Sequence, residues 1–180
     1  MPAGLVSIHK AQASFSEDAV LTTSYLDDNI VSGRIFDIGI TVQMTATTPI
    51  YFTSELTDPS AINALFLLPI EVNPTEGYVI LNIYEDTLYT GGTVVTPTNR
   101  NRSSGITPKV TVKTGATGVD KGNLLSITHV YGVAGTNQSA GGGDGVTSNS
   151  LVLDLTKRYL YEFTCSETGI VGINAEFGEV

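Results

Sequence analysis

The chain has 180 residues, 41% of them apolar and 15% charged, with nine Lys and Arg against eighteen Asp and Glu. These proportions exclude a disordered polyelectrolyte, and the length suits one domain around one core. A net charge of −9 argues against binding DNA or RNA, because sequence-blind affinity for nucleic acid comes from cations set against phosphate.

The longest apolar run, AINALFLLPI at 61–70, falls short of the roughly 20 residues that cross a bilayer, so no membrane partner is expected. The N-terminus shows no basic start followed by an apolar stretch and a small-residue cleavage site, so the chain is expected to fold first in a cytosol. Cys165 is the only cysteine, which removes an intrachain disulfide framework and a cysteine-based zinc site. No cofactor is expected.

Residues 1–29 are polar and read as a short strand plus an arm that docks on a neighbour, or equally as a frayed end. Asp27-Asp28-Asn29 forms a break before a single β domain over 30–180. The clearest strand is RIFDIGITVQMTAT at 34–47, where Phe36, Ile38, Ile40, Val42 and Met44 alternate with a mostly polar face. SELTDPSAINALF offers Asp58 or Ser60 as a cap and Pro59 as the first position of about one helical turn.

Residues 78–96 alternate again, and Gly91-Gly92 predicts a tight hairpin reversal into the next strand. Residues 109–115, 123–133, 150–155, 158–166 and 169–180 follow as strands, with Asp120-Lys121-Gly122 as a turn. The expectation is an all-β, antiparallel two-sheet β-sandwich of jelly-roll or Greek-key type, with about 8–9 strands.

Catalytic signals are thin. His9 and His129 lie 120 positions apart, and no G-x-S-x-G elbow accompanies either. Asp37, Glu85, Asp86, Asp154, Glu162 and Glu176 would serve a glycosidase, but eighteen acids on strands discriminate nothing. The Gly-rich stretch 132–150 lacks the Gly-Lys-Ser/Thr of a phosphate loop and reads as a long mobile loop rather than an ion site. No catalytic residue and no metal ligand is assigned.

The candidate site is TNRNRSSG at 98–105, which sets Asn99, Arg100, Asn101 and Arg102 in a segment with no apolar residue. In an extended segment Arg100 and Arg102 would point the same way, and two adjacent guanidinium groups are tolerable only if solvated or facing acids. The segment is therefore either a charged clamp onto another strand or a neighbouring subunit, or a solvated loop.

The order ILNIYED, GGTVVTPTNRNRSSG, VTVKTGATGVDKGNLLSITHVYG, GGG and LVLDLTKRYLYEFT resembles a group of tailed-phage virion structural proteins over roughly residues 60–178. The Asn-Arg-Asn-Arg element is the most specific part of that likeness; Ser150-Leu151 stands where that group has a Trp before the late strand. The resemblance implies a head decoration, cement or fibre-base component without enzymatic activity. Its expected partner is the major capsid protein or another virion protein, its expected state a homotrimer, and its place the virion. The alternative is a tail or fibre module that binds host-surface carbohydrate, with Tyr78, Tyr84, Tyr89, Tyr131 or Tyr159 stacking on sugar rings. A hydrolase with dispersed carboxylates stands third.

Overall fold

The structure is a computed structural model that describes residues 13–16, 19–22, 25–68, 70–132 and 150–180. Strands β1 (Ala13–Ser16) and β2 (Ala19–Thr22) pair with each other, and helix α1 (Tyr25–Val31) follows. Asp27-Asp28-Asn29 is therefore not a break. The two acids sit in the first turn of α1, where the positive end of the helix dipole favours them. The helix stops at Gly33, whose φ of 73° allows its amide to donate to Ile30 O and the Arg34 amide to Asn29 O, a Schellman ending.

The body begins with β3 (Ile35–Met44) and β4 (Ile50–Leu56), then a 3-10 turn (Pro59–Ala61) capped by Asp58 as expected. Next come β5 (Leu65–Leu67), β6 (Glu71–Pro74), β7 (Tyr78–Glu85), β8 (Leu88–Val95), β9 (Thr98–Asn99), β10 (Val110–Asp120) and β11 (Asn123–Tyr131). Strands β12 (Leu151–Leu153), β13 (Tyr159–Cys165) and β14 (Gly169–Glu179) complete the chain. The Gly-rich segment 133–149 lies outside the described residues.

Two antiparallel six-stranded sheets result. One has the order β11-β7-β13-β4-β10-β8; the other has β12-β5-β14-β3-β9, with β6 also paired to β14. Taken in chain order, β3, β4, β5 with β6, β7, β11, β12, β13 and β14 are divided between the sheets as the eight strands of a jelly roll are, with β7 and β11 neighbours in one sheet and every other step crossing to the opposite one. The expected number of strands fits this roll; the further strands are β1, β2 and an insertion between β7 and β11.

Between the sheets pack Phe52, Tyr161 and Phe163 from one side and Ile38, Ile173 and Phe177 from the other, all buried. The space left among them is a void of about 20 Å³. Phe52 meets Phe163 edge to face at 5.3 Å.

The insertion corrects the sequence expectation at Gly91-Gly92, which is not a hairpin turn. β7 and β8 form one side of a single long hairpin, and β10 and β11 form the other. Tyr78 pairs with Tyr131, Glu85 with Asn123, Leu88 with Asp120 and Val95 with Val112. The hairpin folds back on itself at Asp86 (φ 60°) and Gly122 (φ 67°). It bends again at Gly92 (φ 92°) and Gly115 (φ 69°), and β10 then joins the far side of the same sheet beside β4.

The glycines are there because both chains must turn at one level, in a backbone region that side chains disfavour. The folded-back half covers the outer face of its own sheet. For this reason β13 is buried on both faces, with Leu160 at 0% and Glu162 at 4% exposure on the outer one. Residues 96–109 are the hairpin's tip, and they carry Asn-Arg-Asn-Arg.

Candidate functional site

β9 pairs briefly with β3, Phe36 opposite Asn99, so the tip loop reaches the other sheet. Asn99 Nδ2 donates to Gly33 O at 2.9 Å and to Ile106 O at 3.1 Å, while its Oδ1 accepts from the Asn101 amide. Asn101 Nδ2 donates to Val31 O at 2.7 Å, and its Oδ1 accepts from the Ser103 amide. Each asparagine thus ends a local turn with one atom and reaches the end of α1 with another, as its mix of donor and acceptor allows. Together they fix the helix end to the hairpin tip.

Arg100 donates its backbone amide to Ile35 O and its side chain to Glu176 Oε1 at 2.9 Å, with Asp37 Oδ2 at 3.8 Å. Asp37 and Glu176 face each other across β3 and β14. Burial pushes both carboxyls above their ordinary range. Arg100 opposes that rise at each of them, and at Glu176 the neighbouring Asp37 and Glu71 add to it.

Arg102 does not share this role. The turn made by Asn101 breaks the alternation that would have aligned the two arginines, and Arg102 is exposed with no acid at ion-pair distance among the described residues. At the other end of the loop, Glu179 Oε1 accepts from the Lys109 and Val110 amides at 2.7 and 2.8 Å. Burial raises the Glu179 carboxyl, and those two bonds oppose the rise.

A second polar cluster lies beneath the folded hairpin. Lys121, at the fold, reaches Glu162 Oε1 at 2.6 Å, while Asn82 and Tyr84 donate to Oε2 at 3.1 Å each. Burial acts to raise the Glu162 carboxyl, but Lys121, Asn82 and Tyr84 together hold it below its ordinary value. Beside it the Tyr89 ring lies under Lys113 and Arg158, 5.8 and 5.5 Å from its centroid, and both cations bind Glu55. The Tyr89 hydroxyl lies close to Thr53 Oγ1 without good geometry, so neither has a full hydrogen bond.

The remaining acidic candidates fall into separate groups. Asp86 pairs with Lys157 at 2.7 Å, and Asp154 holds the Thr156 amide and hydroxyl. Asp37 and Glu176 come together and share Arg100, while Glu85, Asp86 and Asp154 lie near one another around Lys157. No group of three His, Cys, Asp or Glu among the described residues could hold a metal ion. Of the tyrosines proposed for sugar stacking, Tyr89 and Tyr159 are buried. Tyr78 and Tyr131 are exposed, their rings 5.8 Å apart, with His129 at 6.2 Å from Tyr78.

Sequence reasoning missed the Glu162–Lys121 cluster. Its signal was a lone acid inside the apolar strand YLYEFTC. Comparisons of the chain with family models, with curated proteins and with solved structures give no match.

Proposed function

We propose that this protein is a non-enzymatic structural component of a tailed-phage virion, a decoration or cement protein that attaches to the assembled head in several copies. A jelly roll is one of the architectures used by viral capsid domains, although a fold by itself carries no function. The observation that carries the proposal is the Asn-Arg-Asn-Arg tip. The most specific element of the resemblance is the element that pins the inserted hairpin to the opposite sheet and to α1.

Five of the cations, Arg100, Lys113, Lys121, Lys157 and Arg158, are bound to acids of the same chain. That arrangement favours a rigid body over a reactive cleft, and many weak attachments of rigid copies add through effective concentration. The test is to mix the purified protein with phage heads that lack it and to image them. Regular density on the shell, together with cosedimentation that saturates at a fixed copy number, is the expected result. Heads that stay bare at saturating protein end the proposal.

One observation favours a second reading, a carbohydrate-binding tail or fibre module: the exposed rings of Tyr78, His129 and Tyr131. A glycan array separates the two. Binding that disappears in Tyr131→Ala supports the second.

A further inference from the structure

We infer that the free edge of β11 is the contact through which two copies of this chain join, strand against antiparallel strand, into one continuous sheet. A sheet edge leaves a row of amide and carbonyl groups unpaired, and proteins blunt such edges with short strands, charges, prolines or kinks. Three of the four terminal strands of the two sheets are blunted. β9 has two residues and follows Pro97, β12 has three residues, and β8 is bent at Gly91 and Gly92.

β11 is different. Its nine residues, NLLSITHVY, include no Asp, Glu, Lys, Arg or Pro. It is paired only with β7 among the described residues, and it presents Ile127 at 56% and Tyr131 at 68% exposure. An exposed apolar strand of that length marks a place where another chain adds.

The occupant has to be an extended strand, because only a strand answers that row of backbone groups. A second copy fits the electrostatics. Two molecules of charge −9 repel over most of their surfaces, and β11 is a stretch along which they can approach without setting carboxylates against each other. Antiparallel pairing across a two-fold axis is self-complementary, since each strand's outward amides meet the other's carbonyls. Ile127, His129 and Tyr131, which lie opposite Asn82, Ile80 and Tyr78, then line one shared face.

The inference does not depend on the virion proposal. Light scattering after size exclusion of the full chain, from micromolar to millimolar concentration, is expected to give two chains per particle. Ile127→Lys and Tyr131→Lys are expected to weaken that pairing at least tenfold while the circular dichroism stays unchanged. Hydrogen exchange on the unsubstituted chain supplies a second readout: protection of the β11 amides that rises across the concentration range of the mass transition.

A parent that is monomeric throughout overturns the inference, as do lysine variants that pair as tightly as the parent. Protection of β11 that is independent of concentration in a monomer also overturns it and assigns the edge to another part of the same chain. A dimer that coats no phage head leaves the inference standing and ends the virion proposal; a monomer that coats heads does the reverse.

Discussion

Arg100 and Arg102 stand two positions apart and do different things. Arg100 lies between two partly buried carboxyls, so Arg100→Met is expected to cost about 1 kcal/mol at neutral pH and to speed hydrogen exchange at β9. Arg102→Ala is expected to leave both unchanged, because no acid of the described chain faces it. Equal effects from the two substitutions, read by calorimetry and exchange, would refute the assignment. Glu162 presents a sharper case. It is 4% exposed, and Lys121 is its only charged partner among the described residues. Lys121→Met leaves a buried carboxylate on two neutral donors and is expected to cost about 2 kcal/mol at neutral pH. The sign with pH follows from protonation: without Lys121 the Glu162 carboxyl rises, so the loss shrinks as acid neutralises it. A loss that is constant from pH 7 to pH 4 would sink this account.

The folded hairpin depends on a few backbone positions. Gly122 has φ 67°, and a Cβ there would lie 2.3 Å from Glu85 O and 2.7 Å from Asp86 O. Both contacts are backbone and neither can move aside. Gly122→Ala is therefore expected to cost on the order of 2 kcal/mol or more and to loosen the hairpin at its fold. Gly91→Ala is the control. It has φ 65° but meets only the Thr117 hydroxyl, at 3.6 Å, so its cost is expected to be smaller. If the two substitutions melt alike in thermal unfolding, the fold at 86 and 122 is not the constrained point.

The molecule as a whole has two opposed sets of acids. Asp37, Glu176 and Glu179 have carboxyls raised above their ordinary values, so over the interval between the two values the folded chain holds more protons than the unfolded one. Their effect is that stability increases as pH falls through the raised values. Glu162 is lowered, as are Asp58 and Asp154 at the surface, and their contribution is present above ordinary carboxylate values and lost as pH falls through the lowered ones. Stability is therefore expected to peak in mildly acid solution rather than at neutral pH. A melting temperature that falls steadily from pH 7 downward would contradict it.

Alternating side chains at 34–47 and 78–85 determined the strands and the class of fold, because a half-buried strand needs only its own sequence to show two faces. Asp58-Pro59 likewise determined its turn by local chemistry. β4, β5 and β6 were not legible, being short or without clean alternation, and neither was α1, whose seven residues are too few for a helical period to show. At the tip loop the sequence marked the residues, and only the tertiary structure decided which atoms they hold. Arg100 meets acids 63 and 76 positions away by chain number, and Asn101 meets a carbonyl 70 positions away. Glycine at 91 and 92 is compatible with either a turn or a kink, since both use positive φ. The choice fell to the partner strand, whose own glycine at 115 bends at the same level, and no local stretch of sequence records that pairing.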